Sequence, residues 1–357
     1  MVEDVYRRLA LQLDAIPNGF PPTESGVELR LLAKIFLPEE AALAAEMGSR
    51  KEPAEVIAER AGLDPKVAYH RLKTMARKGQ LTVGRNDRKL TFGLMPFAVG
   101  IYEEQLPRID KELASLVEEY YLESKGSFAR YGPPINRVIP VEESIPADVE
   151  VYPYEQATAL LESAKAWGVR DCICRVQQKL VGKGCDRPVE NCLVFAPLPG
   201  VFDHSETTRA VTKEEAMQIL RQAEDAGLVH SPGNFRDGHH YICNCCTCCC
   251  GVLRTVAEFS LPTAIASSDF VAVVDRDACA ACGDCLVRCQ FGAMSLTGDV
   301  CRVDPGSCVG CGLCTTVCPT EALSLQRRPE GEVIVPPESL RDWRTQRAHA
   351  RGLSEPS

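Results

Sequence analysis

Apolar residues recur at helical spacing through the first third of the chain, then give way to shorter runs broken by proline, glycine and cysteine. Residues 1–23 predict an amphipathic helix ending near the Pro17-Asn18-Gly19 turn. Further helices are expected over 24–36, 39–47 and 52–60. Asp64-Pro65 supplies an N-cap followed by proline at the first helical position, which opens a helix over 65–78 that Gly79 closes. Residues 81–83 and 90–92 read as two short strands around a polar turn at 84–88.

The pattern then weakens. Residues 97–150 read as mostly helical and then loop-like, because Pro133, Pro134, Pro140 and Pro146 interrupt any long element. Over 153–167, Ala157, Leu160, Leu161 and Ala164 stand at helical spacing. Thr212-Lys213-Glu214-Glu215 is a capping box, starting a helix that runs to Ala226 and stops at Gly227. Another helix is expected over 251–260.

Near the C-terminus an internal repeat appears with an offset of 29 residues, from Cys279 to Cys308. Gly292-Ala293-Met294-Ser295-Leu296 matches Glu321-Ala322-Leu323-Ser324-Leu325, and each half reads strand, cysteine loop, short helix, strand. Beyond Gln326 the chain is polar, with a short helix over 337–347. The expected class is α+β. Its expected parts are a helical domain over 1–105, a mixed cysteine-rich domain over 106–268, the repeat over 269–326 and a polar tail over 327–357.

Hydrophobic residues make up 45% and charged residues 25%, which places the chain among ordinary globular proteins. A net charge of −9 excludes a globally basic surface for nucleic acid, though not a local patch. No run approaches the roughly 20 apolar residues of a membrane-spanning helix. Residues 1–19 lack the apolar stretch of a signal peptide, so a cytoplasmic setting is expected.

Nineteen cysteines change the picture, since none precedes Cys172 and they fall in tight clusters, a pattern that favours metal over disulfides. The first C-terminal run is Cys279-x2-Cys282-x2-Cys285-x3-Cys289; the second is Cys308-x2-Cys311-x2-Cys314-x3-Cys318-Pro319. Three cysteines spaced by two residues can face three irons of a 4Fe–4S cube, and the fourth must come from elsewhere. In two-cluster ferredoxins the last cysteine of each run crosses to the other cluster. Cys279, Cys282, Cys285 and Cys318 are therefore assigned to one cluster, and Cys308, Cys311, Cys314 and Cys289 to the other. A pair of zinc sites would favour separated C-x2-C pairs instead. Gly283 and Gly312 stand just after the second cysteine of each run, where the loop must turn closely around the cube. These runs resemble the bacterial two-cluster ferredoxin family over about 270–326, except that Gln290 stands where that family usually has proline. Asp284 lies inside the first loop, opposite Leu313 in the second. A carboxylate disfavours reduction nearby, so the first cluster is expected to have the lower potential.

Ten further cysteines lie between: Cys172, Cys174, Cys185 and Cys192, then Cys243, Cys245, Cys246, Cys248, Cys249 and Cys250. Six in eight residues cannot all be core, because neighbouring side chains point in different directions. The expectation is one or two additional iron–sulfur clusters, with zinc or a redox dithiol system as alternatives. The simplest grouping gives Cys172, Cys174, Cys185 and Cys192 to one site and four or more of the later six to another. If 243–250 were helical, Cys245, Cys248 and Cys249 would share a face. His239 and His240 read as loop histidines and Cys301 as a buried thiol.

Taken in order, Cys-Ile-Cys-Arg at 172–175, Gly-Cys-Asp-Arg-Pro at 184–188, Cys-Asn-Cys-Cys-Thr-Cys-Cys-Cys-Gly at 243–251 and the terminal repeat resemble a sparsely characterised family of 4Fe–4S dicluster ferredoxin proteins. That resemblance implies electron transfer between redox partner proteins. At the N-terminus, the order helix, helix, helix, hairpin is similar to a winged helix-turn-helix. Residues 64–89 carry eight bases (Lys66, Arg71, Lys73, Arg77, Lys78, Arg85, Arg88, Lys89) against Asp64 and Asp87. A redox-sensing DNA-binding regulator is therefore an alternative, beside a solvated helix face or a docking surface for an acidic partner. An oxidoreductase component with a catalytic middle cluster is a third. No Gly-rich nucleotide motif supports a stand-alone enzyme.

Overall fold

Asp64 shows how the sequence sets the first elements. In a computed structural model that describes residues 2–87 and 89–353, its carboxylate accepts from the backbone N–H of Lys66 at 2.9 Å and of Val67 at 3.2 Å. Two otherwise unpaired donors of a helix start are thereby satisfied. Replacing Asp64 with Ala should cost about 1 kcal/mol in urea denaturation followed by circular dichroism, as for other lost caps.

The chain divides into two compact units, one of Met1–Gly132, Gln177–Gly182 and Arg344–Ser357, the other of Pro133–Val176 and Lys183–Trp343. The first unit runs α1 (Val2–Asp14), α2 (Val27–Ile35), α3 (Pro38–Ala44), β1 (Glu52–Pro53), α4 (Ala54–Ala61), α5 (Pro65–Arg77), β2 (Leu81–Asn86), β3 (Lys89–Leu94) and α6 (Lys111–Ser124). Helix α5 buries Ala68, Leu72 and Met75 along one face. It ends before Gly79, which has φ +69° and stands where a Cβ would meet Glu104 Cβ at 2.2 Å. The three strands pair antiparallel in the order β1-β3-β2. The hairpin is longer than the sequence predicts, because Arg85 and Asn86 are polar yet pair with Leu90 and Lys89. A solvated hairpin end needs no apolar side chains to keep its backbone ladder. Arg88, counted among the bases above, lies outside the described residues.

In the second unit the elements are β4 (Asn136–Arg137), α7 (Ala157–Glu162), β5 (Ala166–Asp171), the start of α8 (Ile173–Leu180, of the first unit from Gln177 onward), β6 (Glu190–Ala196), β7 (Arg209–Val211), α9 (Lys213–Asp225), β8 (Val229–Ser231), β9 (Tyr241–Cys245), α10 (Gly251–Phe259) and β10 (Ile265–Ala266). Then follow β11 (Phe270–Val274), α11 (Asp284–Arg288), β12 (Met294–Thr297), β13 (Val300–Val303) and β14 (Leu323–Arg327), and last α12 (Leu340–Ala350), which belongs to the first unit from Arg344 onward. Helix and sheet are mixed, in keeping with α+β.

Five strands form an antiparallel sheet in the order β7-β5-β6-β9-β8. Helices α7 and α9 cover one face through Leu160, Leu161, Ala216 and Leu220, packed on Val169, Leu193, Phe195 and Ile242. The helix expected over 153–167 stops at Glu162, and Trp167 belongs to β5. Thr212 caps α9 as its sequence predicts, accepting from Glu215 N–H at 3.2 Å.

The repeat folds as strand, cysteine loop, short helix or turn, strand. Its strands pair antiparallel across the two halves, β11 with β14 and β12 with β13. The expected βαβ arrangement is thus not a parallel crossover. Such a crossover needs a dozen or more residues, usually an α-helix, whereas α11 has 5 residues and the second half has only a 3-residue turn at Thr315–Val317. No described helix is long and apolar enough to cross a membrane.

Candidate metal centres

The C-terminal cysteines surround two partly open cavities. The first is lined by Cys279, Cys282, Cys285 and Cys318, with Cys301 and Leu296 beside them. Around the second stand Cys289, Cys308, Cys311 and Cys314, with Phe291 and Leu313 among its walls. Each cavity takes three cysteines from one run and the last cysteine from the other. The donor set suits a 4Fe–4S cube, which needs four thiolates.

Glycine backbone makes the loops close enough. Gly283 has φ +84° and Gly312 φ +77°; at Gly312 a Cβ would stand 2.0 Å from Ser144 Oγ. In the first cavity, burial alone would raise the Cys318 thiol, but backbone N–H groups of Thr320, Leu323 and Ala322 bring it below its ordinary value. The Cys301 N–H also donates to Cys279 Sγ at 3.4 Å. Such donors favour thiolate over thiol. In the second cavity, burial pushes Cys311 up to about 12. Cys282 is exposed, whereas Cys308 and Cys314 are buried. Cys301 is buried too, its sulfur 3.5 Å from Cys285 Sγ.

The middle cysteines regroup relative to the sequence expectation. Cys185 leaves Cys172, Cys174 and Cys192 and joins Cys246, Cys248 and Cys249, all four sulfurs lying within 4.8 Å of one another. The remaining six form a ladder of side-chain hydrogen bonds: Cys172 to Cys174, Cys174 to Cys250, Cys250 to Cys245, Cys245 to Cys243 and Cys243 to Cys192. The reason lies in the sheet. Residues 243–250 are not helical; β9 carries Cys243 and Cys245 on one face, and Cys192 stands in β6, the neighbouring strand. Past Cys245 the chain turns, with Cys250 N–H donating to Cys246 C=O at 3.0 Å, and this turn gathers Cys246, Cys248 and Cys249. Hydrogen bonds donated to adjacent sulfurs, together with burial, push Cys172, Cys243 and Cys245 well above the ordinary thiol value.

Sequence reading missed the polar residues around these thiols. Arg175, 0% exposed, donates to Asn191 Oδ1 at 2.9 Å and to Asn244 C=O at 2.7 Å. Asn244 in turn donates to Asn191 C=O at 2.6 Å, and its Oδ1 faces His230 Nδ1 at 2.7 Å. His230 reaches Glu224 at 3.0 Å. The available signal was Asn191 and Asn244 within strands, each next to cysteine. Gln290, which replaces the usual proline, accepts from Thr247 N–H at 2.9 Å and donates to Gly227 C=O at 2.5 Å. It fastens the second cavity's Cys289 to the turn holding Cys246, Cys248 and Cys249. His239 stacks on Phe235 at 4.8 Å and lies outside the four-thiol group.

No curated protein and no solved structure matches the chain. Residues 302–324 match the family described as 4Fe-4S binding domain, a stretch that contains Cys308, Cys311, Cys314 and Cys318. Similarity to that domain, with four cysteines around each cavity, makes this an iron–sulfur protein binding at least one 4Fe–4S cluster.

Proposed function

We propose that the chain is an electron-transfer protein with two 4Fe–4S clusters, one on Cys279, Cys282, Cys285 and Cys318, the other on Cys289, Cys308, Cys311 and Cys314. What carries the reading is the crossing of Cys289 and Cys318 between the two cavities. A 4Fe–4S cluster, once bound, supplies one-electron chemistry. The chain's own residues hold the thiolates, donate N–H groups to them and bury Cys308 and Cys314 of the second cavity. Exposed Cys282 makes the first cavity the side that a redox partner reaches. The six-thiol ladder offers more than the four thiolates of a cube and is where a third cluster fits best. Such a carrier suits a cytoplasmic setting, with a ferredoxin module over 269–326 and a winged-helix-like module near the N-terminus as a docking element.

Anaerobic purification with iron and sulfide counting tests this: about eight irons per chain are expected for two clusters, more if the ladder is filled. A folded, colourless, iron-free preparation would sink it. Asp284 is exposed at the start of α11, beside the first cavity. Replacing it with Asn should raise the midpoint potential of the first cluster in a redox titration followed by EPR. An unchanged potential counts against that role for the carboxylate.

The regulator reading has in its favour the β1-β3-β2 sheet, whose β2–β3 hairpin follows α4 and α5. Against it, two of the local bases are already matched: Lys78 pairs with buried Glu40 at 2.6 Å and Lys89 with Glu55 at 3.2 Å. DNA binding that changes on oxidation would restore that reading.

A further inference from the structure

Four sulfurs that meet around one point are a different device from four that surround a cube. Cys185 Sγ lies 3.6 Å from Cys249 Sγ, and Cys248 Sγ lies 3.8 Å from Cys249 Sγ. All four, with Cys246, fit within 4.8 Å of one another, and among the described residues no other group of three or more His, Cys, Asp or Glu side chains does so. A tetrahedral zinc with Zn–S bonds of about 2.3 Å sets its sulfurs about 3.8 Å apart. A 4Fe–4S cube binds its cysteines through four separate irons, which holds those sulfurs further apart. The C-terminal cysteines, by contrast, are spread around the walls of two cavities and form no such tight group.

The surrounding charge gives a second, independent indication. Arg187 Nη1 lies 3.5 Å from Cys248 Sγ, and Cys246 is among the charge neighbours of the Arg175 guanidinium. Arg175 is fully buried, and its oxygen partners are an amide and a backbone carbonyl, Asn191 Oδ1 and Asn244 C=O. A buried guanidinium costs several kcal/mol unless negative charge sits beside it. Here the neighbouring groups able to supply it are cysteines. Neutral thiols would not; four thiolates on a divalent ion carry a net charge of about −2, which two arginines offset.

We propose that Cys185, Cys246, Cys248 and Cys249 hold a single zinc ion that locks the turn between β9 and α10 onto the loop before β6. The ion is structural: four protein sulfurs leave no open position for a substrate. It fixes Thr247, and through Gln290 the loop that carries Cys289. The assignment does not depend on how the C-terminal clusters are arranged.

Zinc K-edge absorption spectroscopy on the full chain, purified without oxygen and with its iron in place, tests this because iron–sulfur groups are silent at that edge. One zinc per chain with a first shell of four sulfurs at about 2.3 Å is expected. Cys249→Ser should lose the zinc and leave the iron count unchanged. Cys248→His, at the exposed position, should keep the zinc with three sulfurs and one nitrogen. Absence of zinc from the unsubstituted protein, or a fall in iron rather than zinc in Cys249→Ser, by one atom or by four, overturns the proposal. Loss of the C-terminal iron alone, with zinc retained, would defeat the electron-transfer reading and leave this one standing.

Discussion

Cys289→Ser should remove about four irons per chain and empty the second cavity, although Cys289 belongs to the first cysteine run. Crossing makes this a sharp expectation. Cys289 lines the cavity of Cys308, Cys311 and Cys314, while Cys318 lines that of Cys279, Cys282 and Cys285. If each run instead wrapped its own cube, Cys289→Ser would strip the first cavity. Iron counting alone does not separate the two outcomes, because either loses one cluster. Asp284 separates them, being exposed beside the first cavity. In Cys289→Ser the surviving cluster's potential should still respond to Asp284→Asn; in Cys318→Ser it should not. EPR of the reduced protein should also change from the broadened signal of two neighbouring paramagnets to that of an isolated one. A surviving cluster in Cys289→Ser that ignores Asp284→Asn would show that the runs do not cross.

How much of this was legible depended on whether the chemistry was local in the chain. The runs at 279–289 and 308–318 could be read because each loop presents its three leading cysteines from one short segment, and the 29-residue offset exposes the second half. Helices α5 and α9 could be read for a similar reason, since Asp64 and Thr212 cap within three residues. The middle site could not. Cys185 and Cys249 are 64 residues apart, and their meeting depends on β9 lying next to β6 in the sheet. Strand β9 hides its own pattern, because Cys, Asn and Cys at 243–245 carry no apolar alternation. Its faces become distinct only when Ile242 enters the core and Cys243 turns to Cys192. Gln290 was visible as a departure from a familiar motif, but its anchoring of Thr247 required the tertiary contact.

Arg175→Met should destabilise the second unit by about 3–5 kcal/mol in anaerobic urea denaturation, the cost of breaking a buried charge pair by removing one partner. The residue sits among three kinds of acceptor at once. Its guanidinium bonds Asn191 Oδ1 and Asn244 C=O, and it faces Cys172, Cys245 and Cys246. Methionine fills much of the volume but leaves both oxygens short of a donor and the neighbouring thiolates without a cation. Metal retention should fall along with stability, so chelator challenge should strip zinc faster from the variant than from the unsubstituted chain. Arg175→Lys should recover less than half of the loss, because an ammonium cannot reach two oxygens and the sulfurs with one planar fork. Arg209 provides the contrast. It pairs with Glu190 at 2.9 Å and Glu215 at 2.6 Å, but all three side chains are exposed. Solvent screening limits such pairs, so Arg209→Met should cost under about 1 kcal/mol. Equal, small effects of the two substitutions would mean that no anionic metal–thiolate group stands beside Arg175.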